Sequence, residues 1–132
     1  MVTSRGCPYS CTFCGSAETG FRFRSAENVV EEMELLATKY GVKQIDILDD
    51  NFTLLFKRAH QILDLILEKK LDLLITFPNG VRADRLDEEL IIKMKKAGVY
   101  RTGVGIETGD PEVMKKIKKA LDLEKVRTSI KL

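Results

Sequence analysis

The sequence lacks several features that mark other classes of protein. No apolar run approaches the roughly 20 residues that a bilayer-spanning helix needs, and the first residues lack the apolar core of a signal peptide. Neither sign of charge dominates, since 22 basic and 20 acidic residues give a net charge of +2, which argues against a nucleic acid or anionic membrane partner. Repeats, low-complexity segments and linkers are absent, and 44% of the 132 residues are hydrophobic. We therefore expect one cytoplasmic domain, or part of one, with a single core.

Metal-ligating side chains are also few. The three cysteines are Cys7, Cys11 and Cys14, and the one histidine is His60. Because the three cysteines lie within one short stretch, their thiolates can converge on one metal centre from a single loop. A cubane iron–sulfur cluster normally takes four cysteine ligands, so a cluster held by three would keep one iron open to another ligand. An open metal position is typical of a catalytic site.

Three other interpretations of these cysteines remain open. A disulfide framework is disfavoured because three thiols cannot all pair and because disulfides are rare in cytosolic proteins. Cys11 and Cys14 alone have the spacing of a redox pair, but such a pair leaves Cys7 unexplained. A zinc site needs a fourth ligand, and His60 lies far along the chain in a helical stretch.

Hydrophobic spacing and capping residues predict strands that alternate with helices. Ser25, Asp87, Asp110 and Asp122 are candidate N-caps, and Gly41 is a candidate C′ residue. The predicted helices cover residues 26–40, 54–69, 88–97, 111–119 and 123–132, and the predicted strands cover 1–4, 42–48, 73–77 and 101–107, with a turn at 78–80. This alternation predicts an α/β fold with a parallel sheet of about four right-handed βα units.

The polar stretches that follow the predicted strands are the candidate sites, because parallel α/β sheets bind ligands at the carboxyl ends of their strands. They are the cysteine loop, Asp49-Asp50-Asn51, residues 79–84 and residues 107–109. Gly103, Gly105 and Glu107 share one strand face, and glycine in a strand often marks close approach by a ligand.

Taken singly, the residues at these ends have simpler interpretations. Asp49 and Asp50 suit a solvated strand end or a helix cap, and Arg82 with Asp84 suits a loop ion pair. The roles of Arg22 and Arg24 stay unassigned, and His60 is expected to be structural. The lysines on the helices are expected to form a solvated outer face: Lys93, Lys95, Lys96, Lys115, Lys116, Lys118 and Lys119.

The spacing of Cys7, Cys11 and Cys14, with Phe13 before the last cysteine, resembles the signature of the radical S-adenosylmethionine (radical SAM) superfamily. The segments 5–11 and 24–30 are most similar to its cobalamin-associated branch, which includes the magnesium-protoporphyrin oxidative cyclase-like enzymes. The resemblance covers residues 1–132 but only the N-terminal portion of the family's core domain. It therefore implies a truncated, partial parallel (βα) barrel of the TIM-like radical SAM type.

The resemblance also implies cofactors and site residues. Cys7, Cys11 and Cys14 would hold a 4Fe-4S cluster whose remaining iron is chelated by S-adenosylmethionine. An electron from an external flavodoxin- or ferredoxin-type donor would then yield a 5′-deoxyadenosyl radical, which abstracts hydrogen from a small-molecule substrate, with methyl transfer or cyclisation to follow.

By the same resemblance, Phe13 would lie near the adenine and Glu107 near the nucleoside or methionine part. The stretch Asp49-Asp50-Asn51 stands where many relatives have Gly-Gly-Glu contacting the methionine amino group. Cobalamin is implied only by the branch and would bind a domain outside this chain. The alternative function is a non-catalytic, truncated remnant that binds a cluster or zinc through its three cysteines.

Overall fold

The computed structural model describes all 132 residues, and its strands and helices alternate. The elements in chain order are β1 (Ser4–Arg5), β2 (Arg22–Phe23), α1 (Ala26–Tyr40), β3 (Gln44–Asp46), α2 (Phe56–Glu68), β4 (Leu74–Val81), a 3-10 turn (Ala83–Arg85), α3 (Glu88–Lys96), β5 (Val99–Val104), α4 (Pro111–Lys116) and α5 (Leu123–Ile130). Strands β3, β4 and β5 form a parallel sheet in that order. The parallel α/β architecture predicted from the sequence is therefore confirmed.

The capping residues fix where the helices start. The side chain of Ser25 accepts the amide of Asn28 at the start of α1, and Asp87 accepts the amide of Leu90 at the start of α3. Asp110 and Asp122 cap α4 and α5 in the same way. Gly41 ends α1 in the left-handed conformation, with φ of 65°, which glycine adopts without strain. None of these helices combines the length and the apolarity that crossing a bilayer requires.

The first strand differs from the prediction. Met1 lies beside β3, because its amino group donates to the Asp46 carbonyl at 2.6 Å and the Leu48 amide donates to the Met1 carbonyl at 2.9 Å. This is the hydrogen-bond pattern of a parallel pair, but it does not extend further. β1 then pairs antiparallel with β2, which lies in a stretch to which the sequence prediction assigns no strand. The prediction of four parallel strands is therefore wrong: the sheet has three, with Met1 bonded to its edge.

β4 also differs, because it runs through the predicted turn at 78–80. The register between β4 and β5 shifts between Phe77 and Val81, and such irregular stretches tolerate proline in a central strand. Gly80 has φ of +79°, and a Cβ there would lie 2.8 Å from the Gly103 carbonyl oxygen. The neighbouring backbone, not a ligand, approaches Gly103. Because β5 covers Val99–Val104, Gly105 and Glu107 lie beyond the strand.

The hydrophobic core lies on one face of the sheet, under α1, α2 and α3. Strand residues such as Ile45, Ile75 and Phe77 point into it and are at most 4% exposed. The opposite face is polar, since Asp46 accepts hydrogen bonds there from Gln44 and Thr76. A smaller buried cluster joins the 3-10 turn to α4 and α5 through Ala83, Met114, Leu121 and Val126. This packing leaves the carboxyl ends of the strands open for the cysteine loop.

Candidate cofactor site at the strand ends

The cysteines lie on a loop between β1 and β2 that is closed by its own hydrogen bonds. The Cys7 amide donates to Thr19 Oγ1 at 3.0 Å, and the Glu18 amide donates to the Tyr9 carbonyl at 2.9 Å. The amide of Cys14 donates to the Cys11 carbonyl at 3.2 Å, which forms a tight turn between these two cysteines. The loop is therefore a bonded unit and not an extended connection.

The three thiols are free, and they differ in exposure. Cys7 and Cys11 are half-buried, and Cys14 is exposed. Burial raises the pKa of the Cys11 thiol, and the nearby cations Lys119 and Arg82 partly offset this effect. No group of three or more His, Cys, Asp or Glu side chains is gathered closely enough to hold a metal ion. Three soft sulfur donors on one loop nevertheless suit an iron–sulfur cluster in ligand chemistry.

A zinc site would need a fourth ligand, and His60 does not supply one. His60 lies on α2, where its ring contacts Phe56 with 4.5 Å between centroids and its Nδ1 lies 3.7 Å from Glu89. Its other ring nitrogen is buried without a partner. These contacts join α2 to α3 within the helical layer, as expected for a structural residue.

Asp49 is buried beneath the start of the loop. It is 2% exposed, and its carboxylate accepts the Thr3 amide at 2.6 Å, the Thr3 hydroxyl and the Ser4 hydroxyl at 2.7 Å. The interpretation of Asp49 as a solvated strand end or helix cap is therefore wrong. Its two oxygens fix the segment that enters the cysteine loop. Asn51 is also buried, and its Oδ1 has no hydrogen-bond partner.

Asp50 contacts the loop directly. One oxygen of its carboxylate accepts the Gly6 amide at 2.8 Å, and the other accepts the Ser16 hydroxyl at 2.6 Å. Gly6 precedes the first cysteine and Ser16 follows the last. The exposed carboxylate of Asp50 therefore joins the two ends of the segment that carries all three thiols.

Arg82 and Asp84 form the predicted ion pair, which is confirmed. Nε and Nη2 of Arg82 donate to the two oxygens of Asp84 at 3.0 and 2.9 Å. The same guanidinium donates to the carbonyls of Lys119 and Ala120 at 3.1 and 2.9 Å, and it lies 3.7 Å from the centroid of the Tyr9 ring. Arg82 therefore also connects the cysteine loop to the segment between α4 and α5.

Lys119 is the site residue that sequence reasoning placed wrongly. It follows the end of α4 instead of lying on a solvated helix face, and it is 9% exposed. Its Nζ lies 2.6 Å from Glu107 Oε1 and 5.5 Å from the centroid of the Phe13 ring. Glu107 itself has φ of 68°, a left-handed conformation that is uncommon outside glycine and recurs at functional sites. Phe13 and Glu107 are thus brought together by a lysine whose sequence context resembled that of its exposed neighbours.

The two unassigned arginines after the loop separate into different environments. Arg24 pairs with Glu32 at 2.5 Å and donates to the Val2 carbonyl, so its role is structural. Arg22 is exposed in β2, opposite Arg5.

Arg58, which sequence reasoning missed, is 5% exposed and donates to the carbonyls of Thr3 and Arg24. It holds the backbone on both sides of the loop, and only its place on a helix was visible in the sequence.

Comparison with known proteins identifies the family to which the chain belongs. The family described as Radical SAM superfamily matches residues 1–132. An uncharacterised methyltransferase of Pyrococcus horikoshii is 39% identical over 124 residues, which cover 92% of this chain and 27% of that protein. The anaerobic magnesium-protoporphyrin IX monomethyl ester cyclase of Rubrivivax gelatinosus is 25% identical over 131 residues, which cover 98% of this chain and 24% of that protein. The predicted resemblance to cyclase-like members is therefore confirmed.

A solved structure shares the fold. The cobalamin-dependent S-adenosylmethionine radical enzyme OxsB superimposes with a TM-score of 0.71 at 23% identity, over 98% of this chain and 21% of that chain. The chain spans about a quarter of the length of the curated relatives it matches. The family match over every residue, and not the structural likeness alone, decides the assignment: the chain belongs to the radical SAM superfamily, a superfamily of enzymes.

Proposed function

We propose that this chain is the N-terminal portion of a radical SAM core domain that binds a 4Fe-4S cluster through Cys7, Cys11 and Cys14. The observation that carries the proposal is the position of all three free thiols on one bonded loop at the carboxyl ends of parallel strands. Three thiolate ligands leave one iron for the amino and carboxylate groups of S-adenosylmethionine. When bound, the two cofactors supply one-electron cleavage of the sulfonium and a radical able to abstract hydrogen.

Residues beside the loop supply contacts of the kind that S-adenosylmethionine needs. The ring of Phe13 is 55% exposed and offers a face for the adenine. Glu107, held by Lys119, offers a carboxylate to the nucleoside or methionine part. Asn51 Oδ1 is a buried acceptor without a partner, and it suits the methionine ammonium group. Asp49 is not among these proposed contacts, because its carboxylate already accepts hydrogen bonds from Thr3 and Ser4.

The substrate is proposed to be a small organic molecule, on which hydrogen abstraction leads to methyl transfer or cyclisation. Support comes from the relatives, which are named as a methyltransferase and a cyclase. Cobalamin, which is bound in the OxsB structure, would belong to a domain outside these residues. The electron would come from an external flavodoxin- or ferredoxin-type protein.

The experiment that tests the proposal is anaerobic reconstitution with iron and sulfide, followed by reduction and electron paramagnetic resonance. Spectra are compared with and without S-adenosylmethionine. The Cys11→Ala variant removes one ligand, and the Ser10→Ala variant is the matched control, since it shortens a neighbouring loop side chain that is not a ligand. We expect a cluster signal that S-adenosylmethionine perturbs, that is lost in Cys11→Ala and that persists in Ser10→Ala.

Two other results would overturn the proposal in different ways. A cysteine-dependent signal that S-adenosylmethionine leaves unchanged would support the non-catalytic, cluster-binding remnant. The absence of any cysteine-dependent signal would exclude the cluster and would return zinc binding or a structural role to consideration.

A further inference from the structure

The carboxylate of Asp50 joins the two ends of the cysteine loop. Its carboxylate bonds to Gly6, just before Cys7, and to Ser16, two residues after Cys14, at 2.8 and 2.6 Å. Each of the two oxygens takes one of these donors. A single side chain, 34 residues beyond Ser16 in the sequence, therefore closes the segment that holds every cysteine.

The backbone that leads to Asp50 is held by buried residues. Ile47 in the chain leading to it is 1% exposed, and Asp49 is 2% exposed. Asp49 in turn bonds to Thr3 and Ser4, which enter the loop. The backbone of Asp50 is thus held by the hydrophobic core, while its side chain reaches outward to the loop. The cysteine loop, which has no hydrophobic core of its own, is thereby bonded to residues that the core of the sheet holds in place.

We infer that Asp50 is a positioning residue for the three thiols, and that its carboxylate holds the two ends of the loop together. The inference rests on the proposed function in that the thiols are taken as cluster ligands. The resemblance to relatives with Gly-Gly-Glu here implies a contact with the methionine amino group. In this chain both oxygens of Asp50 already accept hydrogen bonds from the loop.

The first test measures the metal-free chain. The alkylation rates of Cys7, Cys11 and Cys14 by iodoacetamide are read by mass spectrometry for each cysteine. Cys14 is already exposed and serves as the internal reference, while Cys7 and Cys11 are half-buried and report loop opening. Asp50→Ala removes both charge-assisted hydrogen bonds to the loop. Since the loss of one such bond is worth about tenfold, the labelling of Cys7 and Cys11 relative to Cys14 should rise by at least about tenfold.

Graded variants separate positioning from general loss of structure. Asp50→Asn can accept only one of the two donors, and Ser16→Ala removes the other end of one bond, so both should give smaller increases than Asp50→Ala. Asp72→Asn is the matched control, because Asp72 is an exposed acid away from the loop. Circular dichroism should be the same in all four variants, since none of the substituted side chains belongs to the hydrophobic core.

The second test uses cobalt(II) alone as the probe, read by its thiolate charge-transfer absorption. Loss of a supporting contact to metal ligands typically weakens metal affinity about 10–100-fold, and we expect a loss of this size in Asp50→Ala but none in Asp72→Asn. Unchanged labelling ratios and cobalt affinity in Asp50→Ala would refute the positioning role and leave the proposed function standing. Faster labelling in Asp50→Ala would support the positioning role of Asp50. The absence of a cysteine-dependent cobalt band in the unmodified chain would count against the proposed function.

Discussion

Replacing Arg82 by methionine should destabilise the protein strongly, because this guanidinium is almost entirely enclosed. The side chains of Arg82 and Asp84 are 9% and 11% exposed. Breaking a buried ion pair by removing one partner typically costs about 3–5 kcal/mol, since the other charge is left without compensation. A loss of that size is a large part of the roughly 5–15 kcal/mol by which domains are stable.

The contacts of Arg82 give the same magnitude when they are taken separately. Its removal leaves the buried carbonyl of Lys119 without a donor, at about 1–3 kcal/mol, while the carbonyl of the exposed Ala120 can turn to water at a smaller cost. The contact with the Tyr9 ring at 3.7 Å adds about 0.5–2 kcal/mol. These terms share one side chain and do not add, so 3–5 kcal/mol remains the expected loss. Arg82→Lys should lie between, because it keeps the charge but not the paired geometry.

Urea denaturation at neutral pH measures these free energies of unfolding. The double variant Arg82→Met/Asp84→Leu should be more stable than Arg82→Met alone, because no unpaired charge is then buried. Arg85→Met is the control: Arg85 is exposed and donates to the Tyr9 hydroxyl at 3.3 Å, so its loss should stay below about 1 kcal/mol. If Arg82→Met cost no more than Arg85→Met, the reasoning about the buried pair would be refuted.

Two further substitutions test the loop and the polar sheet face. Gly6→Ala should destabilise the protein by more than the roughly 1–2 kcal/mol that a left-handed residue costs, because φ is +84° and the new Cβ would lie 2.4 Å from the Gly20 carbonyl oxygen. Gly15→Ala is the control and should be neutral in the same urea assay, because no atom would lie within 4 Å of its Cβ. Equal urea midpoints of the two variants would contradict the predicted clash at Gly6. The hydrogen bond from Thr76 is the main cause that lowers the pKa of Asp46, so this carboxylate stabilises the fold above its ordinary pKa of 3.8 and the contribution is lost as pH falls through the lowered value. Thr76→Val should therefore be less stable at neutral pH and lose less stability on acidification, and denaturation curves of equal pH dependence in both proteins would count against it.

Local signals in the sequence were sufficient for the starts of four of the five helices. Ser25, Asp87, Asp110 and Asp122 each accept backbone amides of the next turn, as their position before an apolar periodic stretch indicates. Gly41 ends α1 for an equally local reason, its freedom to adopt positive φ. These features depend on neighbours in sequence, so the sequence predicts them well.

Features that depend on distant partners were not visible. Lys119 looks like its exposed neighbours until Glu107 and Phe13 are placed beside it. The strand through Pro78 contradicts its local turn signal, and the shifted register against β5 is what accommodates it. The cysteines and the strand-end location of the candidate site could be predicted, but the partners of each side chain could not.

The hydrogen bonds of the cysteine loop also set an order of events during synthesis. The Thr12 amide donates to the Ile117 carbonyl at 3.0 Å, across 105 residues of sequence. At about 5–20 residues per second, the ribosome needs about 5–20 s to make that stretch. During this interval the three cysteines have been made, while Ile117, which bonds to their loop, has not. The loop therefore acquires its final contacts late. A metal ion that binds before then would bind the cysteines while the loop is not yet held in its folded conformation.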